Sequence, residues 1–477
     1  MNNELGKFFL NQNTVVESKL NQYISTLTKE ELPHRFLFDK LENYINNFIE
    51  KKSEKRWVII PGLRGTGKTT LLAQLYFYIL KKYKKNVDLL FVSLDEAKEY
   101  FHIDLLEIIK YYEENKSKRF EELDRPLFIF LDEIQIYKNW AKLLKTIYDR
   151  SKKVFIFCSG SSALELQTTA DVARRAIIEK LHPLSFTEYQ ILKNNIHPPS
   201  NIKNEIFNSI YHSANVTDIL TSLTRLKPKL DNYFSEIPQD SLENYLYSGT
   251  MPFTLLQDDE AYLYRSIDSL LDKIIKNDIA MYGNLDRDTT DSIKRILFIL
   301  SDSENISLTK LSEVLHLNKL TVTRILEYLE QSEILIRIFP YGSNIKKVRK
   351  PSKYLFMTPA IRASLYKISG LQDTFNTRRG PLLEDIFGMH FYKEFLIPNI
   401  GNVSYDTSNK CADFILQILN KKQIAIEVGI GEKGIKQVMN TMNNIKCNYG
   451  VVFSNDSLFI DKSINIIKVP LNYFLLM

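Results

Sequence analysis

Cysteine is nearly absent from this chain of 477 residues: Cys158, Cys411 and Cys447 stand far apart and lack metal-ligand spacing. A disulfide scaffold and a cysteine-held metal site are thereby excluded, leaving three reduced, half-buried packing residues. Long apolar runs are missing as well. No stretch approaches the ~18 uninterrupted apolar residues of a membrane span, and Met1-Asn2-Asn3-Glu4 opens without the charged and apolar regions of a secretory signal. The expectation is a cytoplasmic protein with no membrane partner. A strong charge of one sign is lacking too. A net charge of +6 over this length does not by itself mark a nucleic-acid binder. There is no internal repeat and no long low-complexity tract. Glycine is scarce, with 16 residues, so a place where glycines gather answers a local demand of the backbone.

What is present fits a soluble globular protein of two to four domains: 44% hydrophobic and 25% charged residues. The glycines gather at Gly62-Leu63-Arg64-Gly65-Thr66-Gly67-Lys68-Thr69, a complete G-x-x-x-x-G-K-[ST] string. It lies between the β-branched, aromatic run Trp57-Val58-Ile59-Ile60 and the helix-forming Thr70-Leu71-Leu72-Ala73-Gln74-Leu75-Tyr76. Strand, glycine loop and helix in that order make a phosphate cradle, because small residues let backbone N–H groups point inward and the helix N-terminus adds partial positive charge. The spacing predicts Lys68 on the β- and γ-phosphates of ATP and the Thr69 hydroxyl on Mg²⁺. An ordinary glycine turn is the plainer alternative.

Further strands are expected at Val87–Leu94, at Pro126–Leu131, and at Lys153–Cys158, with a helix over Leu105–Glu114 between the first two. Pro126–Leu131 runs directly into Asp132-Glu133, which suits a hydrolysis motif: a buried strand carries Asp132 to the metal and Glu133, one residue on, polarises water. An acidic strand exit to solvent is the alternative. Ser159, in Ser159-Gly160-Ser161-Ser162, stands where ligands bind at the C-terminal ends of parallel strands, although a serine-rich turn capping the next helix reads the same for Ser161 and Ser162. Alternating strands and helices imply a doubly wound parallel α/β sheet.

Together with Ile134-Gln135, Trp140 and Pro183-Leu184-Ser185-Phe186-Thr187-Glu188, these motifs resemble, in order, the prokaryotic AAA-type ATPases of the archaeal-ATPase group. The resemblance implies a P-loop ATPase with a helical lid, a winged helix-turn-helix and a C-terminal α/β restriction-endonuclease-like domain. It matches Arg64 to the loop arginine, Asp132 and Glu133 to the hydrolysis carboxylates, and Ser159 to the sensor. Gly62 to Thr70 would hold ATP, and Thr69 and Asp132 the Mg²⁺. Arg175 takes the place of the arginine that stabilises the transferred phosphoryl group, in its own subunit or a neighbour's. Arg174 replaces the family's glycine there, and a solvated or salt-bridged helix arginine is the alternative for Arg175. Ser248-Gly249-Thr250-Met251-Pro252 resembles the turn that follows the ATPase core. The implied organisation is a helical extension over 1–30, the ATPase core over 31–190, the lid over 191–285, the winged helix over 286–355 and the nuclease-like domain over 356–477.

The later segments carry their own patterns. Three amphipathic pieces, Ile293–Leu300, Ser307–Leu315 and Leu320–Glu330, precede a strand at Ile334–Ile338, the order of a winged helix. Asn318, Lys319, Thr321, Thr323 and Arg324 are its groove-facing candidates, and the basic segment 346–353, with Lys346, Lys347, Arg349, Lys350 and Lys353, its wing. DNA, met mainly through phosphates, is the expected partner, with a protein-packing or homo-oligomer module as the other reading. At the C-terminal end, Glu384, Asp413 and Glu427 resemble the acidic positions of the PD-(D/E)xK nuclease fold, whose lysine two residues after the Glu orients water. Gly429 stands at that position. Lys433 is spaced too far along to be the favoured replacement, so the expectation is a degenerate nuclease-like fold. The functional expectation is a Mg²⁺-dependent ATPase whose nucleotide state controls a DNA- or protein-binding C-terminal half. A regulatory switch with negligible turnover and an ATP-gated effector nuclease are the rivals.

Overall fold

The computed structural model describes residues 3–477 except 27, 52, 163–169, 258, 280–286, 304–305, 369–377, 420–421 and 432. The start expected for the winged-helix segment, at 286, thus lies outside the described residues. Two compact units divide the chain, 1–182 and 183–477.

In the first unit five strands, β1 (Trp57–Pro61), β2 (Asp88–Ser93), β3 (Leu127–Asp132), β4 (Val154–Gly160) and β5 (Ile177–Ile178), form one sheet in the order β2-β3-β4-β1-β5. Every pairing is parallel. Parallel strands covered on both faces must be apolar throughout, and β1, β3 and β4 are buried at every position. Successive side chains alternate between faces, which separates the core into two layers. Trp57, Ile59, Ile129, Leu131, Ile156 and Cys158 belong to one. Val58, Ile60, Phe128, Phe130, Phe155 and Phe157 belong to the other, where the rings of Phe130 and Phe157 stack at 5.2 Å. The helices Phe36–Lys51 and Lys68–Tyr83 cover the phenylalanine layer, and Leu105–Lys116 and Trp140–Arg150 cover the other. The N-terminal helix Asn3–Ile24 adds Phe8 and Phe9 to that second layer.

The second unit opens with helices, among them Phe186–Asn194, Val216–Glu236 and Glu260–Lys273. The break at His197-Pro198-Pro199-Ser200 separates the first from helix Ile202–Phe207. Helices Arg287–Asp302, Leu308–Leu315 and Lys319–Gln331 follow, the last two capped by the Ser307 and Asn318 side chains. Next come β6 (Leu335–Pro340), a short helix Asn344–Arg349 and β7 (Lys353–Phe356). The remaining strands are β8 (Gly401–Tyr405), β9 (Phe414–Ile418), β10 (Gln423–Val428), β11 (Tyr449–Ser454), β12 (Phe459–Asp461) and β13 (Ile466–Pro470). With β6 and β7 they make one eight-stranded sheet, ordered β12-β13-β11-β10-β9-β8-β6-β7. The β6–β7 pair is antiparallel, and the end of β6 also pairs with β8, Phe339 opposite Ser404. The strand expected at Ile334–Ile338 is therefore continuous, through β6, with the C-terminal sheet. Among the described residues no helix is long and apolar enough to cross a membrane.

Candidate active site

At the C-terminal edge of the first sheet, β1 delivers Gly62 and helix Lys68–Tyr83 begins at the far side of the glycine loop. Gly65 (φ 81°) and Gly67 (φ 90°) hold left-handed backbone that side-chain-bearing residues resist. Gly62 is required for space: a Cβ there would lie 2.3 Å from the Leu181 carbonyl oxygen. Lys68 is buried and donates to the Gly62 and Leu63 carbonyls at 2.9 and 3.1 Å, folding its ammonium back over the loop. Arg35, from the segment ahead of the strand, donates to the Thr66 carbonyl at 2.9 Å. Nothing in the pattern around Arg35 announced this role, which depends on the chain returning to the loop.

The end of β3 brings the carboxylates. Thr69 donates to Asp132 Oδ2 at 2.7 Å, and Ser159, at the end of β4, donates to Oδ1 of the same carboxylate. Thr69 of the loop and Ser159 of β4 therefore meet at the Asp132 side chain. Burial, and then the neighbouring Glu133 carboxylate, push Asp132 up to about 6 against the lowering pull of the Ser159 and Thr69 hydrogen bonds and of the Lys68 charge. Glu133 sits in left-handed backbone (φ 59°), a conformation retained for a glutamate only when its surroundings impose it. Its N–H donates to Ser159 Oγ at 3.4 Å. Its carboxylate accepts from the Gln135 amide and lies 3.6 Å from the Arg64 guanidinium.

A triphosphate with Mg²⁺ fits these residues. The loop has two left-handed glycines and a helix N-terminus for phosphate oxygens, and Asp132 is a buried carboxylate already joined to the threonine hydroxyl expected on the metal.

Arg175 is elsewhere. β5 runs parallel to β1 with Ile177 opposite Val58, so Arg175 lies towards the end where β1 begins, whereas the loop leaves its other end. There Arg175 pairs with Asp149 at 2.8 Å. The expectation of a phosphate contact within its own subunit is corrected: parallel register carries this arginine away from the loop.

In the second unit, Arg324 and Lys319 are exposed on helix Lys319–Gln331, and Asn318 and Thr321 bond to one another at its start. Thr323 donates to the Lys319 carbonyl. Lys346, Lys347 and Arg349 lie on the short helix and Lys350 just beyond it. Lys353 leaves this set. It is buried, ion-paired with Glu384, and its ammonium lies 5.0 Å from the Phe414 ring, so it is corrected from a wing contact to an interior charge. Glu384, Asp413 and Glu427 do approach one another: burial and the Glu384 carboxylate push Glu427 up, while Lys433 and a hydrogen bond with Asp413 pull it down. Asp413 accepts from the Val428 N–H at 2.8 Å, and Lys433 donates to Glu427 at 3.2 Å.

Residues 54–190 match a family model described as an AAA domain. With the loop and the parallel sheet in place, these residues make up an AAA domain with a P-loop. A second model, a domain of unknown function, matches residues 239–372. The chain belongs to the family of the uncharacterized protein MJ1637 of Methanocaldococcus jannaschii, to which it is 34% identical over 456 residues, spanning 95% of this chain and 91% of that one. The uncharacterized protein MJ1544 of the same organism is 23% identical over 475 residues, 93% and 94% of the two chains. Among solved structures, the Aeropyrum pernix Orc1 protein in complex with DNA aligns over 72% of this chain and 94% of its own, at 13% identity and a TM-score of 0.31, too slight a likeness to carry a function.

Proposed function

We propose that the chain binds and hydrolyses ATP with Mg²⁺ and uses nucleotide state to control its C-terminal half. The meeting of Thr69 and Ser159 on Asp132 carries this reading, because it assembles metal ligand and sensor around one carboxylate. Mg²⁺, when bound, supplies charge neutralisation across the phosphate oxygens. Lys68 exchanges the Gly62 and Leu63 carbonyls for β- and γ-phosphate oxygens, and the backbone N–H groups from Gly65 to Thr70 cradle them. Glu133 orients the attacking water and accepts its proton as the oxygen bonds to the γ-phosphorus and the bond to the β-phosphate oxygen breaks. Ser159 registers the γ-phosphate through Asp132. Glu133→Gln should keep nucleotide binding while phosphate release falls by at least about a hundredfold. Unchanged turnover in that variant would overturn these roles.

The engagement of Glu133 by Gln135 and Arg64 favours a second reading, a switch with low basal turnover. Its discriminating test is phosphate release with and without a DNA fragment. In the controlled half, residues 191–285 act as lid, the three following helices with the β6–β7 hairpin as a winged helix, and the remainder as a nuclease-like domain. DNA phosphates are the proposed partner, met by Lys319, Arg324, Lys346, Lys347, Arg349 and Lys350. Arg175, on the far edge, serves a neighbouring subunit in a homo-oligomer.

A further inference from the structure

Between β6 and β7 the chain leaves the sheet as the short helix Asn344–Arg349. Residues 341–353 carry five cations and no acid. Among the described residues Lys353 alone of these five pairs with a carboxylate, which leaves Lys346, Lys347, Arg349 and Lys350 at the tip. Among those cations stand Ile345 and Val348, 65% and 85% exposed, Val348 being the most exposed large apolar side chain of the described residues. Three positions apart on one turn, the two share a face. Local structure does not call for them, because β-branched residues are indifferent helix formers and here they pack on nothing.

The tip is held at both ends. The Tyr341 N–H donates to the Tyr405 carbonyl at 2.9 Å, Gly342 (φ 131°) turns the chain in backbone that favours glycine, and the Ser343 hydroxyl caps the helix by accepting from the Lys346 N–H at 3.4 Å. On the return, the Lys350 N–H donates to the Lys346 carbonyl at 3.0 Å, the Tyr405 hydroxyl donates to the Pro351 carbonyl, and Arg337 Nε donates to Ser352 Oγ at 2.9 Å. Tyr405 belongs to β8 and Arg337 to β6, so the aliphatic pair is presented from two strands of the sheet.

Cations of one sign around an apolar tip select a polyanion with an apolar interior. A lipid surface takes an amphipathic helix that lies flat on a broad apolar face, more than two side chains on six residues supply. A duplex asks for less, since an apolar wedge spans one base step from the minor groove and phosphates flank it on both sides.

We propose that Ile345 and Val348 form a wedge that enters duplex DNA between adjacent base pairs and bends it, while Lys346, Lys347, Arg349 and Lys350 hold the flanking phosphates. This rests on the reading of DNA as the partner and adds a deformation of the duplex that phosphate contacts alone do not require. Pyrimidine–purine steps unstack most easily, so the wedge favours flexible steps without reading base edges.

The full chain, with ATP and Mg²⁺, is titrated into a duplex of about 30 base pairs that carries 2-aminopurine beside a central TA step and a dye at each end. Binding is read by electrophoretic shift, unstacking by 2-aminopurine emission and bending by energy transfer between the dyes. Wild type should raise the emission and shorten the end-to-end distance. Ile345→Ser with Val348→Ser should lose both signals and bind on the order of tenfold more weakly, with an unchanged salt slope because the phosphate contacts remain. Ile345→Leu with Val348→Leu should keep both signals. Both positions are exposed, and unchanged melting of the serine pair shows its fold to be intact. A serine pair that unstacks and bends the duplex as wild type does overturns the wedge and leaves the DNA reading standing, as does a wild type that binds without either signal. A wild type that binds no duplex overturns both. Vesicles of phosphatidylcholine and phosphatidylserine, bound by wild type and released by the serine pair, would then assign the tip to a lipid surface.

Discussion

Lys68 and Glu133 are held by partners that a nucleotide would have to displace, carbonyls in one case and Arg64 with Gln135 in the other. Arg64→Ala is expected to raise basal ATP turnover several-fold if the guanidinium restrains Glu133, measured as phosphate release without DNA. A fall would assign Arg64 to the phosphates instead. Gly62→Ala should abolish nucleotide binding, because its methyl group would meet the Leu181 carbonyl oxygen. A distinct residue-scale effect belongs to Glu330, which burial pushes up to about 7 against the lowering pull of Arg337. Its folded pKa lies above the ordinary carboxylate value, so its contribution to stability is complete below about 4.5 and is lost as pH rises through about 7. Glu330→Gln should therefore gain stability relative to wild type at pH 8 compared with pH 5, read from urea unfolding of both proteins. At this scale the spacing G-x-x-x-x-G-K-T made Lys68 and Thr69 legible, and the apolar run Pro126–Leu131 made Asp132 and Glu133 legible. Arg35 was not, since it has no local pattern and acts across the fold.

Among the elements, the amphipathic pieces Ser307–Leu315 and Leu320–Glu330 were legible from their period, and the structure caps them with the Ser307 and Asn318 side chains. Each side chain accepts from a backbone N–H three residues on. Asn318→Ala should cost about 1 kcal/mol in an unfolding measurement. The basic helix Asn344–Arg349 is exposed at Ile345 and Val348 as well as at Arg349. Replacing Lys346, Lys347 and Arg349 together by Glu should weaken DNA binding about equally for unrelated sequences and flatten its dependence on salt, as for phosphate contacts. Unchanged affinity would assign that helix to a protein partner. The sequence pattern grouped Lys353 with these residues only because it follows them. The β7 strand, buried at all four of its positions, carries it inwards to Glu384.

Across the second unit, one buried pair ties distant segments. Arg362 donates to both oxygens of Asp385 and to the Ser301 carbonyl, and Asp385 also accepts from the Phe356 N–H. Both side chains are 0% exposed. Removing one partner leaves a buried charge unmatched, a loss of about 3–5 kcal/mol. Arg362→Ala should lower the melting of the second unit in calorimetry while nucleotide binding by the first persists. The sequence by itself determined β1 to β4 and β6, the glycine loop and the Asp132–Glu133 pair, because strand burial and loop geometry are set by residues near one another in the chain. Tertiary structure decided that Arg175 stands at the far edge of the first sheet, that Lys353 is interior, and that the β6–β7 hairpin extends the C-terminal sheet. Each of these depends on strand register or on a side chain crossing between segments, and spacing along a chain carries no record of either.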